Sequence, residues 1–338
     1  MQITFKKLIK YVLATILMAV LLWLAFREID WKEFWLALER CNWWWILASM
    51  AVGLAVAYSR GCRWRLMLLP INDKITRQEC FDAYNVCYLA NLAVPRSGEF
   101  VRCAMLSKLG RATFQEALGS MALERVWDII SALLIAVGMV LFTRFGTFLK
   151  EEMWQPFVEG LSFNAAWLVA GAAALVALCC WLVYHFRNRS TICGKIHGFF
   201  AGLAGGVKAG FQMEHKAGFF LHTAFIWVMY IFQILFIIYA FPDVSQLNFG
   251  DAFFLMMVGS LGWMVPVQGG FGAYHFIVAA ALVPVYGIAQ QTGLVFATIS
   301  HESQVLQMIV NGVISLVIFW AAVRKGRSTE PRSYRKSC

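Results

Sequence analysis

Apolar stretches of bilayer length recur along this chain, separated by short polar breaks, and that rhythm leaves few folds open. Full spans are expected at about 8–26, 43–59, 113–142, 166–186, 217–241 and 288–322. Two further apolar stretches, about 82–109 and 251–285, are interrupted near the middle. The first breaks at Val94-Pro95-Arg96-Ser97-Gly98 and the second at Val265-Pro266-Val267-Gln268-Gly269-Gly270. Proline removes a helix donor and glycine loosens the backbone, so each stretch predicts two half-helices around a turn. Pro95, Gly98, Pro266, Gly269 and Gly270 are the expected hinges. The fold class is therefore an all-α polytopic membrane protein, with about six full transmembrane spans and two broken re-entrant helical hairpins.

Composition agrees with this plan. Of 338 residues, 60% are hydrophobic and 14% charged, too little polar material to cover a soluble domain of this size. In lipid, outward-facing apolar side chains are the stable arrangement. The apolar run Tyr11–Phe26 is close to bilayer length and leads directly into Arg27-Glu28-Ile29-Asp30, with no small-residue cleavage site. It predicts a retained first span and not a cleaved leader. The nine cysteines include an adjacent Cys179-Cys180 pair and no CxxC, so they read as small buried hydrophobes.

Charge placement sets the orientation. Of the 29 Lys and Arg residues, 23 fall in the N-terminus through Lys10 and in 60–80, 96–111, 187–216 and 323–338. The loops 27–42 and 144–165 hold 5. By the positive-inside rule the richer segments are cytoplasmic, which puts both termini in the cytoplasm and the chain in a cytoplasmic (inner) membrane. The net charge of +10 then reflects topology and anionic headgroups, and nucleic acid is not needed as a partner. Trp31, Trp35 and Trp43-Trp44-Trp45 are placed for an outer aromatic belt. Ile196, Phe199, Phe200, Leu203 and Val207 have the spacing of a cytoplasmic amphipathic helix lying on the membrane.

The domain plan is one transmembrane domain over 1–322, an amphipathic cytoplasmic linker over about 187–216, and a basic cytoplasmic tail over 323–338. Within it, 43–142 and 217–322 are half-repeats of opposed orientation: span, broken stretch, span, with the second trio inverted. The breaks share letters, Val94-Pro95-x-x-Gly98-x-Phe100 against Val265-Pro266-x-x-Gly269-x-Phe271. Inverted repeats with paired broken helices are a recurrent transporter plan, with the substrate site near the midplane.

A charge near the bilayer centre costs roughly 2.5–3.5 kcal/mol on insertion scales, yet the span 113–142 contains Glu124, Arg125 and Asp128. Glu124 and Asp128 share a helical face, and Arg125 stands three before Asp128. The cluster can fix helix packing, hold a charged headgroup, or do both. Arg96, Glu99 and Arg102 recur every third residue at the start of a half-helix, where amide donors and guanidinium groups together suit a phosphate. The same arginines also suit a cytoplasmic span end, as do Arg60, Arg63 and Arg65. In the second break, Gln268 and Tyr274 flank glycines whose ordinary use is close packing. His301, Glu302, Gln304 and Gln307 form a polar patch in the last span. No HExxH, GxSxG, Walker or GxGxxG motif occurs, so no catalytic residue, metal site or cofactor is expected.

The run Asn91-x-x-x-Pro95-Arg96-x-Gly98-Glu99-x-x-Arg102, then Glu124-Arg125-x-x-Asp128, then Pro266-x-x-Gly269-Gly270-x-Gly272, resembles the membrane domain of the lysylphosphatidylglycerol synthase/flippase family. The likeness runs from the first span to about residue 322. It implies translocation of an anionic or aminoacylated phospholipid between leaflets. Bifunctional relatives carry a soluble aminoacyl-transferase domain after the membrane part, and a chain ending soon after its last span is expected to lack lysine transfer. One departure is His301-Glu302-Ser303, where an arginine is expected.

Three readings follow. The first is a flippase-like transporter and not an enzyme, in which Arg96 and Arg102 bind phosphate. Glu99, Glu124 and Asp128 then meet a cationic group, and Gln268, Tyr274, His301 and Glu302 complete the lining. The second is a membrane-embedded enzyme acting on a lipid phosphate or glycan carrier. The third is a non-catalytic anchor for a lipid-synthesis enzyme. Either that enzyme or a second copy of the chain would be its protein partner.

Overall fold

The computed structural model describes residues 5–27, 29–143 and 213–329, with short pieces between 146 and 198. No strand occurs among the described residues. The helices are α1 (Phe5–Phe26), α2 (Trp31–Glu39), α3 (Trp43–Leu68), α4 (Arg77–Ala93), α5 (Gly98–Lys108), α6 (Phe114–Phe142), α7 (Lys216–Ala240), α8 (Phe249–Met264), α9 (Ala273–Tyr286) and α10 (Gln290–Thr329). Among the described residues, five helices are long and apolar enough to cross a bilayer. A sixth is added if Val12–Phe26 and Trp31–Glu39, bent by 84°, count as one span. The chain is an all-α polytopic membrane protein.

Both interruptions form where proline and glycine place them. α4 ends at Val94, which is extended (φ −134°, ψ 117°), and α8 ends at Val265, also extended (φ −61°, ψ 134°). Each precedes a proline, whose ring disfavours the helical region for its neighbour. The leading half-helices also start alike, on capping boxes: Thr76 with Glu79 for α4, and Asn248 with Asp251 for α8. In each box the two residues satisfy one another's orphan amide donors.

Four expectations change. α3 runs on to Leu68, so Arg60, Arg63 and Arg65 lie on its last turns and not in a loop. The stretch 27–42 is not all loop, because Asp30 caps α2 by accepting from the amides of Lys32 (2.8 Å) and Glu33 (3.4 Å). The helix expected to end near 322 continues to Thr329. Residues 268–286, expected as half of a re-entrant pair, also have the length and hydropathy of a crossing by themselves. The expected span 166–186 and the amphipathic segment 196–207 lie outside the described residues, apart from isolated positions.

The chain divides into two compact units, Met1–Met121 with Ala217–Cys338, and Ala122–Lys216. In the first, α4 packs against α3, α5 and α10. Trp64, Leu68, Cys80, Ala83, Tyr84, Leu106, Ala117 and Phe319 form the apolar cluster between them. Small residues let these helices approach closely, as expected where lipid offers no hydrophobic drive to associate. A Cβ on Gly61 would stand 2.8 Å from the Phe81 amide nitrogen, and one on Gly312 would stand 2.6 Å from Leu89 Cβ. The α8–α9 pair packs on α10, and α9 also rests on α1. In the second unit, α6 continues from Ala122 to Phe142 and carries the Glu124–Asp128 cluster.

Candidate functional site

The two breaks meet in the first unit. The guanidinium of Arg96 donates from Nη2 to the Met264 carbonyl, at 3.1 Å, across 168 residues of sequence. Gly269 faces the same junction, since a Cβ there would lie 2.7 Å from Leu92 Cδ2. Arg96 has φ 59°, a left-handed conformation that is uncommon for a residue with a Cβ. It is exposed, whereas Gly98, two residues on, is buried. The Gly98 amide donates to Asn91 Oδ1 at 2.7 Å, and a Cβ on Gly98 would run into the Cys87 carbonyl. Ser97 closes the turn by donating its hydroxyl to the carbonyls of Val94 (2.9 Å) and Ala90 (3.1 Å). Glu99, in the first turn of α5, has a buried Oε2 with no hydrogen-bond partner among the described residues.

The expected Arg96–Glu99–Arg102 ladder divides at α5. Arg102 is fully buried, and its guanidinium carbon lies 4.5 Å from the Trp64 ring centre and 4.4 Å from that of Tyr84. A planar, weakly hydrated cation suits such a slot better than an ammonium. The arginines of α3 behave similarly. Arg63 is fully buried, donates to Thr223 Oγ1 at 3.3 Å and stands over Phe219. Arg60 donates to the Tyr230 hydroxyl at 3.0 Å, and Arg65 to the Ile75 carbonyl at 2.6 Å. All three fasten α3 to neighbouring segments.

The second break is seated by α10. Gly269, Gly270 and Gly272 have φ of 54°, 72° and 78°, conformations open to glycine at little cost. His301, fully buried, holds the edge of this turn by donating from Nε2 to the Gly269 carbonyl oxygen, at 2.8 Å. Trp263, Phe271, Tyr274 and His275 surround its ring, with centroids 4.9–5.1 Å away. The Tyr274 hydroxyl shares a 2.8 Å hydrogen bond with Ser300 Oγ. Gln268 turns the other way and donates from Nε2 to Thr15 Oγ1 of α1, at 2.9 Å.

Glu302, with 42% of its side chain exposed, places Oε1 3.1 Å from His301 Nδ1 and 3.4 Å from His275 Nε2. His301-Glu302 was legible as a pair, but not its meeting with His275, because the two histidines belong to different helices. The trace of that meeting in the sequence is a histidine inside the mostly apolar α9. In the second unit, Glu124 is fully buried. Arg125 lies between its two neighbours, 3.8 Å from Glu124 and 3.4 Å from Asp128. The shared helical face expected from the four-residue spacing is thus bridged by the intervening cation.

Among the residues expected at a site, Arg96, Glu99, Gly98, Pro95, Pro266, Gly269, Gly270, Gln268, Tyr274, His301 and Glu302 lie in or beside the two breaks. Arg102 is held between aromatic rings, and Glu124, Arg125 and Asp128 form their own cluster on α6.

No curated protein and no solved structure matches the chain. A family described as lysylphosphatidylglycerol synthase TM region matches residues 8–312, a range that takes in both breaks, the α6 cluster and His301-Glu302. The chain belongs to that family, and is a multi-pass membrane protein of a lineage concerned with membrane lipid.

Proposed function

We propose that this protein is a flippase-like transporter that binds a phospholipid headgroup where its two broken helices meet and passes it between the leaflets of a cytoplasmic membrane. The observation that carries this reading is Arg96. An exposed guanidinium on a left-handed backbone, tied to the end of the opposite half-helix, is a costly feature to keep for packing alone. Guanidinium groups match phosphate oxygens with paired donors. Glu99 adds a buried carboxylate oxygen with unused acceptor capacity, suited to the ammonium of an aminoacylated lipid. In this reading the half-repeats 43–142 and 217–322 are inverted copies, and the acyl tails stay in the bilayer while the headgroup passes the breaks. Glu124, Arg125 and Asp128 are a separate charged cluster on α6, and Gln268, Tyr274 and His301 hold the second break in shape.

The test is leaflet transfer of a fluorescent anionic phospholipid by the purified full chain in liposomes. Arg96→Gly removes the guanidinium and relieves the left-handed backbone, so its melting temperature should match or exceed that of the parent chain. Its transfer rate should fall at least tenfold, since a hydrogen bond to a charged group contributes about 1.5–3 kcal/mol. Glu99→Gln should slow transfer of a lysine-bearing lipid more than of the unmodified one. A parent chain that transfers neither lipid, or an Arg96→Gly chain as fast as the parent, would overturn the proposal.

A further inference from the structure

We infer that His275, His301 and Glu302 form a binding site for a divalent transition-metal ion of the zinc type, built on the second break. The three side chains each offer one ligand atom, and these atoms lie within 4.8 Å of one another. Two of the separations, 3.1 and 3.4 Å, are close to the ~3.4 Å between ligands of a tetrahedral ion with bonds of about 2.0–2.2 Å. Both histidines are buried. The third separation, between the two imidazoles, lies within 4.8 Å and closes by a small turn of the His275 ring, while Glu302 is part-exposed.

Hydrogen bonding points the same way. A carbonyl oxygen only accepts, so the 2.8 Å contact of His301 Nε2 with Gly269 O puts a proton on Nε2. Nδ1 then presents its lone pair toward Glu302 and His275. Metal-ligating histidines characteristically donate their second ring N–H to a backbone carbonyl, which fixes tautomer and ring orientation. His301 has that arrangement, and four rings fix its plane. An ion at this point satisfies three lone pairs at once.

Two imidazoles and a carboxylate leave one tetrahedral position open. The part-exposed side of Glu302 is the approach to it. An ion of charge +2 held by one carboxylate keeps a surplus positive charge, so the open position suits water, hydroxide or an anionic oxygen. A mixed nitrogen and oxygen donor set favours zinc or cobalt over calcium or magnesium, which take oxygen ligands.

The experiment uses the full chain, purified through a histidine-free tag and stripped with a chelator. It is then titrated with Zn2+ by calorimetry and with Co2+ by visible absorption. One ion per chain should bind, with a tetrahedral Co2+ spectrum and a rise in melting temperature. Glu302→Gln and His275→Gln keep the side-chain volume and leave the His301–Gly269 contact in place, so the metal-free melting temperature should hold. Each should weaken Zn2+ binding at least tenfold and abolish the Co2+ spectrum. A parent chain that takes up no ion, or variants that bind as tightly as the parent, would overturn the inference. Neither readout depends on lipid transfer.

Discussion

Arg96 and Arg102 stand six positions apart in one short segment and meet opposite environments. Arg96 is exposed, with φ 59°. Arg102 is buried in full between two aromatic rings. Both fit the spacing argument for a phosphate site, because every third residue of a half-helix shares a side. The spacing carries no information about Trp64 and Tyr84, which come from α3 and α4 and close over Arg102. A desolvated cation–π contact contributes about 2 kcal/mol or more, and a lysine presents a compact, strongly hydrated charge in place of the stacking plane. Arg102→Lys should therefore lower stability by about 1–2 kcal/mol, read as a fall in melting temperature in detergent. An unchanged melting temperature would show that the aromatic slot contributes nothing to the fold.

Elements were legible wherever a covalent feature dictates them. Pro95 and Pro266 forced the two interruptions, and the extended valines before them follow from the proline ring. The ends of α3 and α10 were not legible, because a helix leaving a bilayer keeps its hydrogen bonds while its composition turns polar. Arginines on the last turns of α3 therefore read as lying beyond the span end. α2 was hidden for a similar reason: nine residues capped by Asp30 carry too little periodicity to separate from an aromatic belt. Outside the second break, which glycines serve close helix approach was not legible either, since many have no such role. Gly61 and Gly119 distinguish the two cases. A side chain at Gly61 meets the Phe81 backbone, 2.8 and 2.9 Å from its nitrogen and Cα, whereas nothing among the described residues lies within 4 Å of a Cβ at Gly119. Gly61→Leu should push α4 away and cost about 1–3 kcal/mol by overpacking. Gly119→Leu should hold or raise the melting temperature, since leucine is the better helix former and meets no neighbour there. A loss at Gly61 no larger than at Gly119 would mean that close packing against Phe81 does not set the outcome.

For the molecule as a whole, the order of elements is helix, broken pair, helix, and then the same again: α3, α4–α5, α6 and α7, α8–α9, α10. Matching capping boxes at Thr76 and Asn248 open the two broken pairs, and matching Val-Pro steps interrupt them. Under the proposed reading the two trios are copies, and such likeness suits a parallel as well as an inverted arrangement. Orientation decides between them, and the lysine and arginine distribution predicts inversion: the α3–α4 link on the cytoplasmic side, the α7–α8 link outside. Asp73 and Gln246 are exposed residues of those two links, so single cysteines there report the side directly. In intact cells stripped of any outer barrier, a membrane-impermeant maleimide should label Gln246→Cys above the parent background. Asp73→Cys should react only after the membrane is permeabilised. An inverted pair puts each break's entry on a different face, which is what passage of a headgroup from one leaflet to the other requires. Labelling of both sites from the same face would make the halves parallel copies. The junction built by Arg96 and Met264 would then open toward one leaflet alone, and the protein would be left to bind headgroups without passing them across.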